Sequence, residues 1–206
     1  MNVLLVNGSP HADGCTFSAL SEMARALKKQ NIDSEIFHIG SKPIQGCTAC
    51  FRCGELGTCV FQDDVYSRLV EKIKNCDAFV VGAPVYYAGP PGTLCALLDR
   101  VFFSAGQYLK FKPAAGIVNC RRGGASAAFD RLNKYFTINL MPVATSQYWN
   151  STHGHTPEDQ KHDEEGLQTM RTLAYNLAWL MKNAAAGHLA GVDLPEQEDR
   201  LCTNFI

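Results

Sequence analysis

The fold is decided by residues 1–16, which read MNVLLVNGSPHADGCT. Within them, Val3–Val6 is apolar at every position and is followed by the turn sequence Asn7–Pro10. A run that is apolar throughout, with no alternation, predicts a short strand buried on both faces, as in a parallel sheet. Apolar residues then recur at helical spacing over Gly14–Gln30, which predicts a helix directly after the turn.

The same succession of buried strand and helix continues along the chain. Further strands are predicted at Ser34–Ile39, Ala78–Ala83, Ala114–Asn119 and Pro142–Tyr148, and further helices at 63–75, 92–103, 125–140 and about 158–186. Strands alternating with helices specify a parallel sheet covered on both faces, and right-handed crossovers restrict its winding. This spacing predicts a three-layer, doubly wound α/β sheet of five strands in the order 2-1-3-4-5. Such sheets bind ligands beyond the carboxyl ends of their strands.

The composition narrows the classes of function. The chain has 206 residues, of which 46% are apolar, and this predicts one domain over 1–206 with a full core. Its 19 basic and 20 acidic residues give a net charge of −1, which argues against a nucleic-acid partner. No apolar run approaches the roughly 20 residues of a membrane span, and the N-terminus lacks the basic region of a signal peptide. We therefore expect a cytoplasmic protein with no membrane partner.

The loop after the first strand has the features of a phosphate site. Its glycines allow close backbone approach, and the first amides of the following helix favour an anion. The pattern lacks the lysine of a P-loop and the spacing of a dinucleotide-binding glycine motif, which leaves a mononucleotide-type phosphate cradle. An ordinary Gly/Pro/Ser turn with a helix cap is the alternative. The candidate cofactor-binding residues here are Ser9, His11, Gly14, Cys15 and Thr16.

Two further loops at the same edge of the sheet are candidates for binding a flat heterocycle. The loop after the third strand, 82–92, contains two tyrosines and three prolines, whose rigid planes suit stacking. The loop after the fourth strand, 120–124, supplies glycine amides and arginines that would stabilise negative charge on a ring. A proline-rich surface turn and a solvated basic turn are the alternatives. The candidate residues are Pro84, Val85, Tyr86, Tyr87, Gly89, Arg121, Gly123 and Gly124.

A set of short motifs runs in order along the chain: Gly8-Ser9-Pro10, Gly14 and Thr16, Pro84-Val85-Tyr86, Asp99-Arg100 and Gly123-Gly124. In this combination the sequence resembles the NAD(P)H-dependent FMN reductase family of flavodoxin-like proteins, from Met1 to about Ala186. The resemblance implies an FMN phosphate held by residues 9–16 and an isoalloxazine between the loops 84–89 and 120–124. It also implies hydride transfer from NAD(P)H to the flavin, with no catalytic acid or base residue demanded.

Two positions of the phosphate loop differ from the pattern of that family. Members often carry arginine where this chain has His11, and asparagine where it has Cys15. A neutral His11 would weaken the phosphate site. The backbone donor at position 15 does not depend on the side chain.

Four of the nine cysteines lie within thirteen residues. Cys47, Cys50, Cys53 and Cys59 have the spacing C-x2-C-x2-C-x5-C, and thiolates so close in sequence can wrap one compact cubane. Among metals, structural zinc is the second choice, because it usually uses two separated knuckles. A metal-free, thiol-rich loop at 43–62 is the alternative to a cluster. A disulfide framework is disfavoured, because the number of cysteines is odd and no export signal is present. The spacing also resembles the iron–sulfur flavoproteins of the same family, in which a [4Fe–4S] cluster passes electrons to FMN.

Three functions follow from these expectations. The first is an FMN-binding oxidoreductase that passes electrons from NAD(P)H through the flavin to a small-molecule or redox-protein acceptor. The second is an iron–sulfur flavoprotein that carries electrons to or from ferredoxin-like partners, and the third is a thiol-based redox sensor. Aromatic loops around a flat cofactor favour a homodimer or homotetramer. The segment with Trp149 and His153 is expected to follow the fifth strand and to cover the active site, with Trp149 as an aromatic wall.

Overall fold

The computed structural model describes residues 1–199 and 201–205, and these form five strands, seven α-helices and one 3-10 turn. The strands are β1 (Asn2–Asn7), β2 (Asp33–His38), β3 (Ala78–Pro84), β4 (Ala114–Cys120) and β5 (Ser151–His153). The helices are α1 (Cys15–Lys29), α2 (Cys53–Leu56), α3 (Asp64–Asn75), α4 (Gly92–Ala105), α5 (Ala125–Ile138), α6 (Pro157–Gln160) and α7 (Glu164–Leu189). The 3-10 turn, Gly106–Tyr108, continues α4.

All five strands are parallel, and their order is β2-β1-β3-β4-β5, which confirms the predicted topology. Helices α1 and α7 cover one face of the sheet, and α3, α4 and α5 cover the other. Strand β1 shows how both faces are filled, since Val3 and Leu5 enter one core and Leu4 and Val6 enter the opposite one. Successive side chains of a strand point to opposite faces, so a strand with two covered faces requires an unbroken apolar run.

The prediction of a fifth strand at Pro142–Tyr148 was wrong. The chain follows β4 only over the first of these residues, leaves the sheet at 145–149 and returns as β5. The buried Asn150 explains the return. The side-chain amide of Asn150 donates to the carbonyl oxygen of Gly116 at 3.1 Å. The backbone carbonyl oxygen of Asn150 accepts from the Val118 amide at 3.0 Å. A buried polar side chain therefore sets the start of the strand, and apolar periodicity cannot indicate this.

The predicted helix at about 158–186 is two helices, the short α6 and the long α7. Thr156 caps α6, and Asp159 completes a capping box with it. Asp163 caps α7 by accepting a hydrogen bond from a backbone amide of the first turn. Each cap satisfies amides that a helix start leaves free, so the chain begins a new helix at each of them. Helix α7 also continues beyond the predicted end, to Leu189.

The cysteine-rich segment 43–62 connects β2 to α3 and contains the single-turn helix α2. The rest of the segment has no regular structure. In the part of the chain that the structure describes, no helix has the length and apolar character needed to cross a membrane.

A close contact between β1 and β3 provides a test of the packing. Gly8 N–H donates to the Gly82 carbonyl oxygen at 2.8 Å, and a Cβ added at Gly8 would lie 2.4 Å from Leu94 Cδ2 and 2.9 Å from that oxygen. The leucine can turn away, but the backbone oxygen cannot move without opening the strand pair. We therefore expect Gly8→Ala to lower the free energy of unfolding by about 1–3 kcal/mol, measured by urea denaturation.

Gly92→Ala is the matched control, because no atom lies within 4 Å of its added Cβ and Gly92 begins helix α4. Alanine is a better helix former than glycine by up to about 1 kcal/mol, so this variant should be at least as stable as the parent. Equal stability of the two variants would contradict the tight crossing at Gly8.

Candidate functional site

A cavity of about 540 Å³ opens at the carboxyl ends of the central strands. Its walls come from the loops that follow β1, β3, β4 and β5. The volume is typical of sites for small molecules and cofactors. The position is the switch point of the sheet, where doubly wound folds bind their ligands.

The loop after β1 is shaped by the buried side chain of Asn7. Its Oδ1 accepts from the Ser9 backbone amide at 3.1 Å. Its Nδ2 donates to the carbonyl oxygens of His11 and Ala12 at 3.4 and 3.2 Å. Two carbonyl oxygens of the loop are thereby directed toward Asn7, which is buried and does not line the cavity. The loop therefore presents less negative potential to an anion in the cavity.

Helix α1 begins at this cavity without a side-chain cap. Its N-cap residue is Gly14, which offers no side-chain oxygen, and its first turn contains no acidic residue. The first amides of a helix have no intrahelical acceptor, and the helix dipole adds partial positive charge to them. The hydroxyl-bearing residues Ser9 and Thr16 line the same corner. The residues present therefore fit a phosphate group.

Two cysteines, Cys15 and Cys120, also line the cavity. Burial raises the pKa of both thiols, and backbone hydrogen bonds oppose the rise only in part. Cys15 Sγ lies 3.7 Å from the carbonyl oxygen of Gly154, to which it donates. Both side chains are therefore neutral thiols near pH 7 and are not activated as nucleophiles.

The loop after β3 turns back on itself within four residues. Tyr86 and Gly89 exchange both backbone hydrogen bonds, and between them Tyr87 and Ala88 have φ values of 50° and 60°. Positive φ at both central positions is typical of a type I′ turn, which costs less strain with Asn or Gly. Gly124, at φ +86°, packs on this turn, since its Cβ would lie 2.9 Å from Ala88 Cα. The two loops predicted to hold a flat ring are in contact.

Nine of the thirteen predicted cofactor-binding residues line the cavity, namely Ser9, His11, Gly14, Cys15, Thr16, Pro84, Val85, Tyr86 and Arg121. Four do not. Tyr87 is fully exposed at the tip of the turn, and Gly89 closes that turn. Gly123 is exposed, and Gly124 supports the turn from outside the lining. The structure thus brings the five predicted residues of the loop after β1 together at the cavity. Of the eight predicted residues in the loops after β3 and β4, it places four at the cavity and four outside its lining.

Seven lining residues lie outside the predicted set: Asp13, Asn119, Cys120, Gly154, His155, Thr156 and Pro157. The last four follow β5, in the segment that was expected to cover the active site, but none of them was predicted as a cofactor-binding residue. The Gly154 amide donates to the Cys120 carbonyl oxygen at 3.2 Å, which holds this loop against the end of β4. The available signal was the capping box of Thr156 and Asp159, which predicts a helix start.

Trp149 and His153 are not among the lining residues. Trp149 precedes β5, is 56% exposed, and packs against Tyr148 with ring centroids 5.1 Å apart. His153 is the last residue of β5, and its backbone amide donates to the Asp163 carboxylate at 2.5 Å. The expectation that this segment follows the fifth strand and lines the site was wrong for Trp149, whereas Gly154 and His155 do follow β5 and line the cavity.

The four clustered cysteines line a second, smaller cavity of about 20 Å³. Cys47 and Cys50 are exposed, Cys53 and Cys59 are half-buried, and all four are free thiols. Over residues 1–199 and 201–205, no three His, Cys, Asp or Glu side chains converge so as to hold a metal ion. In number and kind, four thiols on one cavity match the ligands that a [4Fe–4S] cluster takes.

A buried arginine, Arg100 of α4, lines the cysteine cavity as well. Its Nε donates to Cys59 Sγ at 3.4 Å, and its Nη1 donates to Asp63 Oδ2 at 2.5 Å. Two backbone carbonyl oxygens, those of Gln45 and Phe61, accept its other hydrogen bonds. Burial lowers the pKa of Arg100, but the bonds to Cys59 and Asp63 outweigh it and raise the pKa. A permanent positive charge therefore ties both ends of the cysteine-rich segment to α4.

Comparison with known proteins gives the family. Residues 1–156 match the family described as NADPH-dependent FMN reductase. An iron–sulfur flavoprotein of Methanocaldococcus jannaschii is 30% identical to this chain over 190 residues, which cover 88% of this chain and 98% of that protein.

Solved structures share the fold at low sequence identity. RosB with the bound intermediate 8-demethyl-8-formylriboflavin-5'-phosphate has a TM-score of 0.70 at 14% identity, covering 99% of this chain and 92% of that chain. The flavodoxin, WrbA-like protein from Agrobacterium tumefaciens has a TM-score of 0.62 at 16% identity, covering 88% of this chain and 98% of that chain. These similarities confirm the flavodoxin-like architecture. The chain belongs to the NADPH-dependent FMN reductase family of flavodoxin-like oxidoreductases, in its iron–sulfur flavoprotein branch.

Proposed function

We propose that this protein binds FMN and passes electrons from NAD(P)H through it to a small-molecule or redox-protein acceptor. One observation carries the proposal: a single cavity joins the uncapped N-terminus of α1 to the loop after β3 and the end of β4. The first part suits a phosphate, and the second suits a flat ring. Phosphate and ring are the two ends of FMN.

Each part of the cavity has its own task in this proposal. The amides of Gly14–Thr16 and the hydroxyl of Ser9 bind the phosphate, while Asn7 holds two loop carbonyl oxygens away from it. The loop Pro84–Tyr86 orients the ring, and Arg121 adds positive charge at the other wall. When bound, FMN supplies the hydride and single-electron chemistry, and the protein supplies binding and orientation.

The proposal requires no proton-transferring side chain. A hydride carries its electron pair with it, so binding and orientation are what the protein must provide. The neutral thiols of Cys15 and Cys120 add no negative charge beside the phosphate, since burial raises their pKa.

We also propose a cytoplasmic homodimer or homotetramer. Exposed aromatic side chains support the assembly, because Tyr86, Tyr87, Tyr148 and Trp149 are 46, 107, 61 and 56% exposed. Aromatic residues are enriched in the buried parts of protein interfaces.

The first test is the identity and reactivity of the cofactor. Protein purified without added flavin should release FMN on heating, identified by fluorescence and chromatography. In a separate, unheated sample without air, NADH or NADPH should bleach the flavin absorbance. Addition of a quinone acceptor should restore the absorbance, with turnover. Release of FAD alone, or no affinity for added FMN, would contradict the proposal.

Thr16 tests the phosphate corner. Thr16→Val keeps the volume of this buried side chain and removes its hydroxyl, whereas Thr16→Ser keeps the hydroxyl and serves as the matched control. A hydrogen bond to a charged group contributes about 1.5–3 kcal/mol, so the valine variant should bind FMN at least about tenfold more weakly by fluorescence titration. The serine variant should stay close to the parent. Equal affinity of both variants would move the phosphate away from Thr16.

A second candidate function is favoured by the cysteine site. Four thiols line one cavity together with a buried arginine, and this donor set suits a [4Fe–4S] cluster. In this version the protein carries single electrons between FMN and a ferredoxin-like partner. The naming of the relatives as iron–sulfur flavoproteins supports it.

Anaerobic reconstitution tests the cluster. The reconstituted protein should contain about four iron and four sulfide per chain, which is the stoichiometry of the cluster itself. Cys50→Ser should lose the iron and keep FMN, because the two cavities share no lining residue. Cys202→Ser, which changes an exposed cysteine outside the cluster, is the matched control and should keep both. Iron-free parent protein after reconstitution would leave a flavin-only reductase with a metal-free cysteine loop.

A further inference from the structure

Arg100 places a charge where packing alone does not require one. Its side chain has no exposed surface. Its guanidinium carbon lies 4.7 Å from the ring centre of Tyr66 and 5.8 Å from that of Phe61. Replacing a buried ion pair by apolar side chains of similar volume is often neutral or stabilising. Arg100 anchors the backbone of the cysteine-rich segment, and in addition it places a full charge beside the cysteines.

The positive charge of Arg100 is only partly balanced by its neighbours. Asp63 is its acidic hydrogen-bond partner, and the Asp63 side chain is 39% exposed, so solvent screens it. The other acceptors are two carbonyl oxygens and the sulfur of Cys59. In the described part of the chain, Arg100 is the one basic or acidic side chain among the residues that line the cysteine cavity, and Asp63 lies outside that lining. A set of thiolate ligands is the kind of group that such a cavity stabilises.

We propose that Arg100 is a positioning residue that sets the reduction potential of a cluster held by Cys47, Cys50, Cys53 and Cys59. The inference rests on the second candidate function. The hydrogen bond from Arg100 Nε to Cys59 Sγ acts on one ligand directly, and the guanidinium charge acts on the whole site. Hydrogen bonds to ligand sulfurs and the net charge near a cluster are established controls of its potential.

The direction of the effect follows from the charge balance. Reduction of a cluster held by these cysteines would add one electron from a one-electron donor, dithionite in the test below, and would transfer no proton. The site becomes one unit more negative. A nearby cation in a poorly solvated cavity stabilises the more negative state, so Arg100 should raise the potential. The Asp63 carboxylate should lower it.

Two variants separate these contributions. Asp63→Asn removes the counter-charge and keeps Arg100. Asp63→Asn/Arg100→Met then removes the cation without leaving an unpaired carboxylate, which avoids the large cost of half a buried pair. Arg131→Gln is the control, because Arg131 is a half-exposed arginine that pairs with Asp99 on the same helix as Arg100.

Each full-length protein is reconstituted without air and analysed for iron, sulfide and FMN. It is then titrated with dithionite while electron paramagnetic resonance follows the cluster. We expect a higher cluster potential in Asp63→Asn, a lower one in the double variant than in Asp63→Asn, and no shift in Arg131→Gln. The FMN content should be unchanged in all of them.

The role of Arg100 would be overturned if Asp63→Asn and the double variant each contained about four iron per chain and had the same cluster potential. If the double variant does not fold, Asp63→Asn/Arg100→Gln, which also removes the cation, takes its place, and a potential equal to that of Asp63→Asn overturns the proposal. A parent protein that contains no iron after reconstitution would be detected earlier, in the metal analysis. That result overturns the cluster and this role together, and it leaves the FMN site standing.

Discussion

The backbone hydrogen bond from Gly8 to Gly82 is the last contact that holds β1 and β3 together. Beyond this bond, β1 leads into the loop before α1, and β3 leads into the turn before α4. The opening between them is the crevice at the switch point of the sheet, where doubly wound folds bind ligands. A Cβ at Gly82 would lie 3.0 Å from Thr16 Cγ2, so the first turn of α1 packs directly on the strand ends. The close approach of these two strands therefore positions the helix amides at the cavity.

Buried polar side chains then shape the loops at both cavities. Asn7 binds two carbonyl oxygens of the loop before α1. Asn150 brings the chain back to the sheet, so that the loop after β5 forms another wall of the cavity. Arg100 holds the cysteine-rich segment in position, because it donates to backbone carbonyl oxygens near both ends of that segment. In each case a side chain takes the place of regular backbone pairing. This is how loops without secondary structure keep a defined position when their polar groups are buried.

These anchors also explain how much of the molecule the sequence predicted. Strands such as Val3–Val6 were predictable, because a strand covered on both faces must be apolar at every position. The fifth strand was not, since the side-chain hydrogen bonds of Asn150 decide where it begins. In the site, the phosphate loop follows from local glycine and hydroxyl chemistry. The contact of Ala88 with Gly124 could not be predicted from the sequence. Tyr87 and Ala88 adopt positive φ, but neither is the glycine or asparagine that indicates such a turn.

Helix α4 runs from the end of the loop after β3 to the cysteine cavity. It begins at Gly92, just after the turn that packs on Gly124, and it carries Arg100 eight residues later, about 12 Å along its axis. Leu94, Leu97 and Val101 between and beside these points are fully buried, so the helix is fixed in the core. The cavity at the strand ends and the cysteine cavity therefore keep a set separation within one chain. Within the cysteine-rich segment Cys47 and Cys50 are exposed, whereas the guanidinium that contacts Cys59 is buried and held by four hydrogen bonds, so it is fixed in the core.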